Sequence, residues 1–504
     1  MQDGLTIVIS PLIALMKNQV DQLQALGVNA NFINSTLPRK VVQEVKDGVL
    51  AGETKLLYIA PESLIKEDNL AFLKQVTISF IAVDEAHCIS DWGHDFRPEY
   101  RNIKTIISER LGELPVIGLT ATATPRVQQD ILKNLGIEDA TLFKSSFNRE
   151  NLYYEIRPKV DVEKQLVKFI KDAPKASGIV YCHSRKKVEE MASLLNLNGI
   201  RAAPYHAGLE SKVRMKNQDD FLSNQVEIIV ATIAFGMGID KPDVRFVIHH
   251  NIPRSLEGYY QETGRAGRDG RASHCLMFYS HEDMVRMKKF NNSKPASERD
   301  KAQTLLQEVA NYAISGVCRR KQLLYYYGEL YEEGCSYCDN CKDPVETYAG
   351  EQLIKTVLLT VQQTQEQGDI NYVIRCLQGE EETYDHQGPI QDEGFWVSVI
   401  RQALLLDLLS MDIEPNNTLK LTSQGRRFLE KTHKIMLCKA HQYTPSDQTR
   451  SPEEASRTYD QALLIRLRAL RKHVALEKGI PVYAVFQDAS LEDMALAYPS
   501  TLEE

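Results

Sequence analysis

The feature that most constrains the fold is an apolar run that ends abruptly in two carboxylates. Residues Phe80 to Val83 are followed directly by Asp84 and Glu85. A buried parallel strand delivers acids in this way to the carboxyl edge of a sheet, where open α/β folds bind their ligands. One carboxylate there can hold Mg²⁺ through water, and its neighbour can orient or deprotonate an attacking water. A strand that ends in a solvated acidic turn would have the same sequence, so the motif needs support from the rest of the chain.

Strand-like and helix-like patterns alternate around these acids over residues 1–145. A helix start is predicted at Ser10 and Pro11, because apolar residues at helical spacing follow them. Strands separated by helices predict right-handed βαβ units on a parallel sheet, and so a first α/β lobe. The strand-like runs lie at residues 5–9, 55–61, 80–83 and 115–125.

A second set of strand-like runs predicts another α/β lobe of similar design over residues 146–290. The two lobes join near Phe147 and Arg149. An interface between two such lobes is a natural cleft for a ligand. The runs of this lobe lie at residues 178–184, 203–208, 226–232 and 244–250.

The second lobe ends in a glycine- and arginine-rich stretch, residues 260–271, which contains Arg265 and Arg268. Glycines let the backbone come close to a ligand, and guanidinium groups grip phosphates in a bidentate fork. A solvated loop would have the same composition. Because a strand-end acid pair lies on the other lobe, the stretch is a candidate arginine finger that faces a nucleotide across the cleft.

Several of these stretches together resemble a known family. Four stretches resemble motifs of superfamily 2 helicases: in order, motifs II, III, V and VI correspond to residues 84–87, 120–122, 231–242 and 261–268. The longer strings at residues 10–21 and 88–100 are similar to the RecQ family of ATP-dependent 3′-to-5′ DNA helicases. The resemblance runs nearly end to end, and it implies an α/β fold with two RecA-like parallel-sheet lobes. It also implies a role in DNA repair and recombination.

The resemblance assigns roles at the nucleotide site residue by residue. Asp84 would coordinate Mg²⁺, and Glu85 would activate the hydrolytic water. Gln261 and Arg268 would contact the phosphate end of ATP, with Arg268 as the arginine finger. The other positions that it assigns to catalysis or nucleotide binding are His87, Gly238, Asp240 and Arg265.

An aromatic-rich loop with Trp92, Phe96 and Arg97 matches the segment with which the family senses single-stranded DNA. Aromatic and guanidinium planes bind single strands without reading sequence, because every base has a π-face. The alternative for Trp92 is packing in a core. Thr120 and Thr122 are assigned by the resemblance to the DNA-facing side, where they would couple hydrolysis to movement between the lobes.

Four clustered cysteines after the second lobe predict a structural zinc site within residues 291–345. Two overlapping C-x-x-C steps and a fourth cysteine supply four thiolates, which suits tetrahedral Zn²⁺ with no open position. Adventitious cysteines or a redox pair are the alternatives. The remaining five of the nine cysteines are interpreted as packing residues. The predicted ligands are Cys318, Cys335, Cys338 and Cys341.

Helical patterns followed by a hairpin-like segment predict a winged helix over residues 346–436. Asn416 and Asn417 are a plausible tight turn, because Asn tolerates positive φ. In the RecQ family this domain grips duplex DNA, whereas the alternative is a small helical domain without DNA contact. A polar linker, 437–458, and a partial HRDC-type domain, 459–504, complete the chain. The candidate phosphate contacts are Arg401, Lys420, Arg426 and Arg427.

The 504 residues carry a net charge of −8, which argues against a protein that binds polyanions over its whole surface. The net charge does not exclude local basic grooves. No apolar stretch has the length of a membrane span and the first residues lack a signal-peptide pattern, so we expect a cytoplasmic protein. The resemblance implies single-stranded and forked or duplex DNA as partners, together with a single-strand-binding protein. The expected cofactors are structural Zn²⁺, with Mg²⁺ and ATP by resemblance.

One part of the family pattern is missing from these residues. No Gly-Lys dipeptide occurs in the chain, so it contains no G-x-x-x-x-G-K-[ST] loop to cradle phosphates. The resemblance then implies an incomplete first lobe, a chain truncated at both ends, and little or no ATP hydrolysis. The alternatives are a DNA-binding protein without catalysis, which uses the zinc and winged-helix modules, or a translocase that does not unwind duplex.

Overall fold

The computed structural model describes most of the chain. The described residues are 4–93, 96–173, 176–236, 239, 241–332, 334–380, 391–412, 417–443, 461–478, 485–487, 490–491 and 494.

The first lobe is a five-stranded parallel sheet in the order β2-β3-β1-β4-β5. Its strands are β1 Leu5–Ile9, β2 Ala30–Ile33, β3 Leu56–Ile59, β4 Ile78–Val83 and β5 Val116–Gly118. Its α-helices are α1 Ile13–Ala25, α2 Arg39–Leu50, α3 Pro61–Leu64, α4 Glu67–Leu73, α5 Ile103–Ile106 and α6 Pro125–Leu135. Short 3₁₀ turns occupy Ala86–Ile89 and Pro98–Asn102, and a π-helical turn occupies Ile107–Leu111.

The first helix of this lobe begins later than the sequence predicted. Ser10 still belongs to the sheet, since its N–H donates to the carbonyl of Ile59 at 3.2 Å. Leu12 is extended, with φ −129° and ψ 121°, and α1 starts only at Ile13. The apolar ends of β1 and β4 are buried as predicted, because helices cover both faces of a parallel sheet.

The second lobe is a six-stranded parallel sheet in the order β6-β11-β10-β7-β9-β8. Four strands correspond to the predicted runs, and β6 and β11 were not predicted. Hydroxyls of Ser184 and Ser255 cap the amino ends of α8 and α10. The elements are β6 Leu152–Pro158, α7 Val162–Asp172, β7 Ser177–Tyr181, α8 Arg185–Leu197, β8 Ala202–Tyr205, α9 Ser211–Leu222, β9 Ile228–Ala231, β10 Val244–His249, α10 Leu256–Thr263 and β11 Ser273–Tyr279.

A helical segment with the clustered cysteines packs against the second lobe, and we call it the zinc subdomain. It shares one hydrophobic core with that lobe: Val309 and Leu323 lie in the same buried cluster as Tyr154 and Met277. The subdomain therefore extends the second lobe instead of standing apart from it. Its helices are α11 His281–Asn292, α12 Ala296–Ile314, α13 Arg319–Tyr326 and α14 Asp339–Lys342.

The next segment has the helices and hairpin that a winged helix requires, around a core with the fully buried Trp396. Strand β13 pairs antiparallel with β14, and β12 pairs antiparallel with β15. Asn417 has a φ of +55°, as the predicted turn requires, while Asn416 lies outside the described residues. The elements are β12 Thr347–Ala349, α15 Glu351–Gln363, α16 Ile370–Gln378, α17 Glu393–Leu405, β13 Leu409–Asp412, β14 Thr418–Leu421, α18 Ser423–Glu430 and β15 Met436–Cys438.

The carboxyl-terminal part is described mainly by one helix, α19 Gln461–Lys478. Most of the predicted linker, residues 444–458, lies outside the described residues. Within the part of the chain that is described, no helix is both long and apolar enough to cross a bilayer.

Replacement of Gly178 by alanine tests the packing of the second sheet. A methyl group at this position of β7 would overlap the ring of the buried Phe246. Gly178→Ala is expected to lower the free energy of unfolding by ~1–3 kcal/mol, as overpacked cores do. Urea denaturation measures the change.

The matched control for this variant is Gly48→Ala in the interior of α2. Its added methyl would meet no atom closer than 3.7 Å. This variant is expected to be stabilised by ~0.5–1 kcal/mol, since alanine has less backbone entropy to lose than glycine. Equal stability of the two variants would contradict the packing argument.

Candidate active site and metal centre

The two acids lie at the carboxyl end of β4, as the sequence predicted. A carboxylate oxygen of Asp84, Oδ1, accepts the backbone N–H of Glu85 at 2.9 Å, and Ser10 Oγ lies 3.5 Å from Asp84 Oδ2. The hydroxyl of Tyr100 donates to the backbone carbonyl of Asp84 at 3.1 Å. Glu85 itself is left-handed, with φ +47° and ψ +46°, which turns the chain sharply away from the sheet.

The environment of Asp84 suits a divalent cation. Burial raises the pKa of Asp84, and the neighbouring charge of Glu85 raises it further. A cation bound between the two carboxylates would relieve both effects, because it favours the ionised forms. The oxygen ligands that Mg²⁺ prefers are therefore present, and Asp84 and Glu85 would hold it.

A chain of polar contacts joins the acids to the strand beside them. The ring nitrogen Nδ1 of the buried His87 lies 3.2 Å from Glu85 Oε2 and 3.0 Å from Thr120 Oγ1. Thr120 Oγ1 in turn accepts the N–H of Thr122 at 3.3 Å. Thr120 is exposed at the carboxyl end of β5, whereas Thr122 is buried. The segment after β5 thus positions the carboxylate of Glu85 through Thr120 and His87.

The two lobes face each other across a cavity of about 480 Å³. Leu12 and Arg97 line it from the first lobe, and Gln261 and Arg265 line it from the second. Arg97 also donates from Nη1 to the carbonyl of Pro11 at 2.8 Å, next to Ser10. Arg97, expected at the DNA, therefore lies where the two lobes meet.

The two arginines of the glycine-rich stretch lie in different environments. Arg265 is buried and lines the interlobe cavity, and its Nε atom has no hydrogen-bond partner. Arg268 is exposed and is not among the lining residues. Gly238 and Asp240, assigned to nucleotide binding, lie outside the described residues.

The loop with Trp92 lies between the first lobe and the zinc subdomain. The guanidinium of Arg126 stacks 3.5 Å from the centre of the indole ring, and Lys301 Nζ lies 5.0 Å from it. Lys301 Nζ also donates to the carbonyl of Asp91 at 2.6 Å, and burial lowers the pKa of Lys301. Trp92 is half-buried: it packs against the core of the first lobe, and part of its side chain stays exposed to solvent.

A second aromatic ring of this loop, Phe96, lies under the guanidinium of Arg101 at 4.9 Å. Aromatic rings beside cations are the composition with which proteins bind single strands. Arg101, Arg126 and Lys301 were not predicted from the sequence. A weak signal existed for Arg126, which follows the Thr120–Thr122 motif by only four residues.

The four predicted zinc ligands come together in the structure. The Sγ atoms of Cys318, Cys335, Cys338 and Cys341 all lie within 4.8 Å of one another. The pairs Cys335–Cys341 and Cys338–Cys318 are each separated by 4.0 Å. Four thiolates at these separations fit a tetrahedral metal with bonds of about 2.3 Å, so the cluster supports bound Zn²⁺.

A buried ion pair holds the two halves of the cysteine cluster together. Arg319, the residue after Cys318, donates from Nε to Asp339 Oδ1 at 3.0 Å, and Asp339 follows Cys338. The guanidinium of Arg319 is fully buried and also donates to the carbonyls of Tyr312 and Ala313. This ion pair was not predicted from the sequence, although both residues are adjacent to predicted ligands.

Two of the candidate phosphate contacts in the winged helix are engaged in ion pairs. Arg401 Nη2 lies 2.6 Å from Glu308 of α12, and Arg426 Nη2 lies 2.5 Å from Glu366. Lys420 is half-buried on β14 and Arg427 is exposed on α18.

Family comparisons define the class of protein. Residues 1–131 match the DEAD/DEAH box helicase family, and residues 161–270 match the helicase conserved C-terminal domain. Residues 281–342 match the RecQ zinc-binding family, residues 344–446 the RQC domain and residues 460–504 the HRDC domain. The chain is thus a two-lobe helicase with three further modules.

Curated relatives define the family. The chain is 40% identical to the ATP-dependent DNA helicase RecQ of Haemophilus influenzae, over 99% of this chain and 83% of that relative. It is 39% identical to that of Pasteurella multocida, over 100% and 81%, and 35% identical to that of Bacillus subtilis, over 100% and 85%. The chain belongs to the RecQ family of ATP-dependent DNA helicases, which confirms the resemblance and the two-lobe α/β fold.

Loss of one thiolate tests the metal centre. Cys338→Ser is expected to abolish binding of the single zinc ion that four thiolates hold, and to lower the thermal midpoint, because the metal contributes folding energy. Cys376→Ala removes a buried thiol from α16, outside the cluster, and should retain the zinc. Metal analysis by atomic absorption checks both. A zinc content equal to that of wild type in Cys338→Ser would contradict the assignment.

The raised pKa of Asp84 predicts a pH-dependent effect on stability. Its ionised form is disfavoured in the folded state, so ionisation reduces stability as the pH rises from the ordinary carboxyl pKa of about 4 through the raised value. At pH 7 without Mg²⁺, Asp84→Asn is therefore expected to have a higher thermal midpoint than the wild type. The difference between the two midpoints should narrow as the pH falls towards 4.

Thermal midpoints measured across this pH range, with and without Mg²⁺, check the prediction. Mg²⁺ should raise the midpoint of the wild type but not that of Asp84→Asn. The control is Asp139→Asn, which removes an exposed carboxylate after α6. A midpoint for Asp84→Asn below that of the wild type at pH 7 would contradict the argument.

Proposed function

We propose that this chain is built to move 3′ to 5′ along single-stranded DNA, driven by ATP, in DNA repair and recombination. The observation that supports it most is the interlobe cavity, where Arg97 of one lobe faces Gln261 and Arg265 of the other. A phosphate chain bound there would contact both lobes, so its hydrolysis would change the distance between them.

Each residue has a distinct part in this proposal. Asp84 would hold Mg²⁺, which when bound neutralises charge on the phosphates. Glu85, positioned by His87, would orient the attacking water and accept its proton. Arg265 and Gln261 would contact the phosphate end of the nucleotide.

The position of Arg268 allows one further contact. Arg268 is exposed three residues after the cavity-lining Arg265, and it would reach the nucleotide after the lobes close. The contact from Glu85 through His87 to Thr120 supports coupling, because Thr120 is exposed where DNA would cross the lobes. Trp92 and Phe96, with their stacked arginines, would bind the single strand itself.

A further part of the proposal is that ATP hydrolysis, on which this movement depends, is not expected from these residues alone. Its residues contain no G-x-x-x-x-G-K-[ST] loop to cradle the phosphates and to supply a lysine. We expect little or no ATP hydrolysis from a polypeptide of this sequence. A single-strand-binding protein as partner and a cytoplasmic location are proposals that rest on family membership.

A second candidate function is DNA binding without catalysis, through the zinc subdomain and the winged helix. The exposed Arg427 and the half-buried Lys420 favour it, since both can contact phosphates. This function predicts binding to forked DNA that weakens with salt and does not respond to ATP.

One experiment separates these functions in the full chain. ATP hydrolysis is measured with and without single-stranded DNA, together with displacement of a strand from duplexes that carry a 3′ or a 5′ overhang. Binding to forked DNA is measured at several salt concentrations, with and without ATP. The variants are Glu85→Gln and, as a control, Glu113→Gln at an exposed position of the same lobe.

The expected result is little hydrolysis, with salt-sensitive DNA binding that ATP leaves unchanged. DNA-stimulated hydrolysis that Glu85→Gln abolishes, with unwinding only from a 3′ overhang, would establish the helicase mechanism and refute the expected inactivity. Hydrolysis that survives in Glu85→Gln would refute the role of Glu85. Failure to bind DNA at low salt would refute both functions.

A further inference from the structure

The interlobe linker, residues 144–151, lies against a helix of the zinc subdomain. Helix α13, Arg319–Tyr326, contacts this linker through Arg320, and the turn that follows the helix contacts it through Glu329. The partners are about 170 to 180 residues apart in the sequence, so the contact is purely tertiary. The linker is the segment whose conformation must change whenever the lobes move relative to each other.

The turn after α13 contacts the first half of the linker through Tyr327 and Glu329. Glu329 accepts two hydrogen bonds, from Ser146 Oγ at 2.6 Å and from the backbone N–H of Phe147 at 2.9 Å. Lys144 Nζ donates to the carbonyl of Tyr327 at 3.2 Å. The rings of Phe147 and Tyr327 stack with centroids 4.4 Å apart and an interplanar angle of 16°.

The amino end of α13 contacts the second half of the linker. Arg320 is buried and donates from Nη1 to Asn148 Oδ1 at 2.9 Å. Its Nη2 atom donates to the carbonyls of Glu150 at 3.3 Å and Leu152 at 3.0 Å. The short helix α13 and the turn after it therefore contact the linker from Lys144 to the first residue of β6.

The same helix is tied to the zinc ligands. Cys318 precedes α13 directly, and the ion pair of Arg319 with Asp339 connects it to the segment that carries Cys338. Asp339 Oδ2 also accepts the N–H of Ile156 in β6 at 2.9 Å. Loss of the metal would therefore free the start of α13 and weaken the contacts of Arg320 with the linker.

Residues of both lobes also contact the linker and the turn after α13. Tyr260, adjacent to Gln261, donates its hydroxyl to the carbonyl of Phe147 at 2.8 Å. Gly328 has a φ of +74°, and a methyl group added there would lie 2.7 Å from Pro125 Cγ at the start of α6. The turn after α13 is therefore a junction of the first lobe, the linker and the helix that carries Gln261.

From this arrangement we propose that α13 and the turn after it form a clamp that sets the resting geometry between the two lobes, with Glu329 and Arg320 as its positioning residues. Zinc binding then controls the interlobe geometry through α13, in addition to stabilising its own subdomain. Any effect of the clamp on movement along DNA rests on the proposed function, whereas its effect on the position of the linker does not.

The test uses the full chain without nucleotide, so its failure is distinguishable from failure of the proposed function. Hydrogen exchange of residues 144–152 is measured by mass spectrometry in the wild type, in Glu329→Ala and in the zinc-depleted wild type. Distances between noncanonical spin labels at the exposed positions Lys40 and Lys212, one in each lobe, are measured in parallel.

Three further variants make the test specific. Glu329→Gln keeps an acceptor for the N–H of Phe147 and a donor for Ser146, so it should restore wild-type behaviour. Tyr260→Phe removes only the hydroxyl contact to the linker and should have a smaller effect of the same kind. Glu332→Ala removes a charge from the same surface but no contact to the linker, and is the control.

In Glu329→Ala we expect exchange in residues 144–152 to rise about tenfold, which corresponds to about 1.4 kcal/mol. Exchange in α15 to α17 and the zinc content should stay unchanged, and the interlobe distances should spread. Zinc depletion should reproduce the linker effect. The proposal is overturned if Glu329→Ala leaves the linker and the distances as in the wild type, or if Glu332→Ala changes them equally.

Discussion

The parallel register between β1 and β4 is the constraint on which the candidate active site depends. Ile9 pairs with Val83, and the N–H of Asp84 donates to the carbonyl of Ile9 at 2.9 Å. This pairing sets Ser10 beside Asp84 at the edge of the sheet. The N–H of Ala86 donates to Leu119 at 2.8 Å, which brings the segment after β5 next to the acids. A slip of one residue would turn every one of these side chains to the opposite face.

The second lobe and the zinc subdomain behave as one structural unit. Their buried residues form a continuous core, and Cys338 forms a parallel bridge with Tyr154 of β6. A metal site at this position has effects beyond its own segment, because the fully buried Arg319 needs the charge of Asp339 close by. An unpaired buried guanidinium is far costlier than an exposed one. The cysteines thus help to hold an edge of the lobe that lines the interlobe cavity.

The two arginines of the glycine-rich stretch illustrate what a motif leaves undetermined. Composition and spacing indicate that guanidinium groups serve a phosphate, but Arg265 and Arg268 satisfy that pattern equally well. The structure places Arg265 in the cavity and Arg268 at the surface, since the chain turns between them at Gly267, which has a φ of +56°. The motif alone therefore does not determine which of the two arginines lines the cavity.

The sequence by itself determined the features that depend on local periodicity and close spacing. These include the buried strand that ends in Asp84, the parallel lobes, the four cysteines and the hairpin of the winged helix. Strands β6 and β11, the cations around Trp92 and the clamp on the linker were decided only by the tertiary structure. Ser146 and Glu329 meet across 183 positions of sequence. No local pattern encodes such a contact, because it arises only after separate cores have packed together.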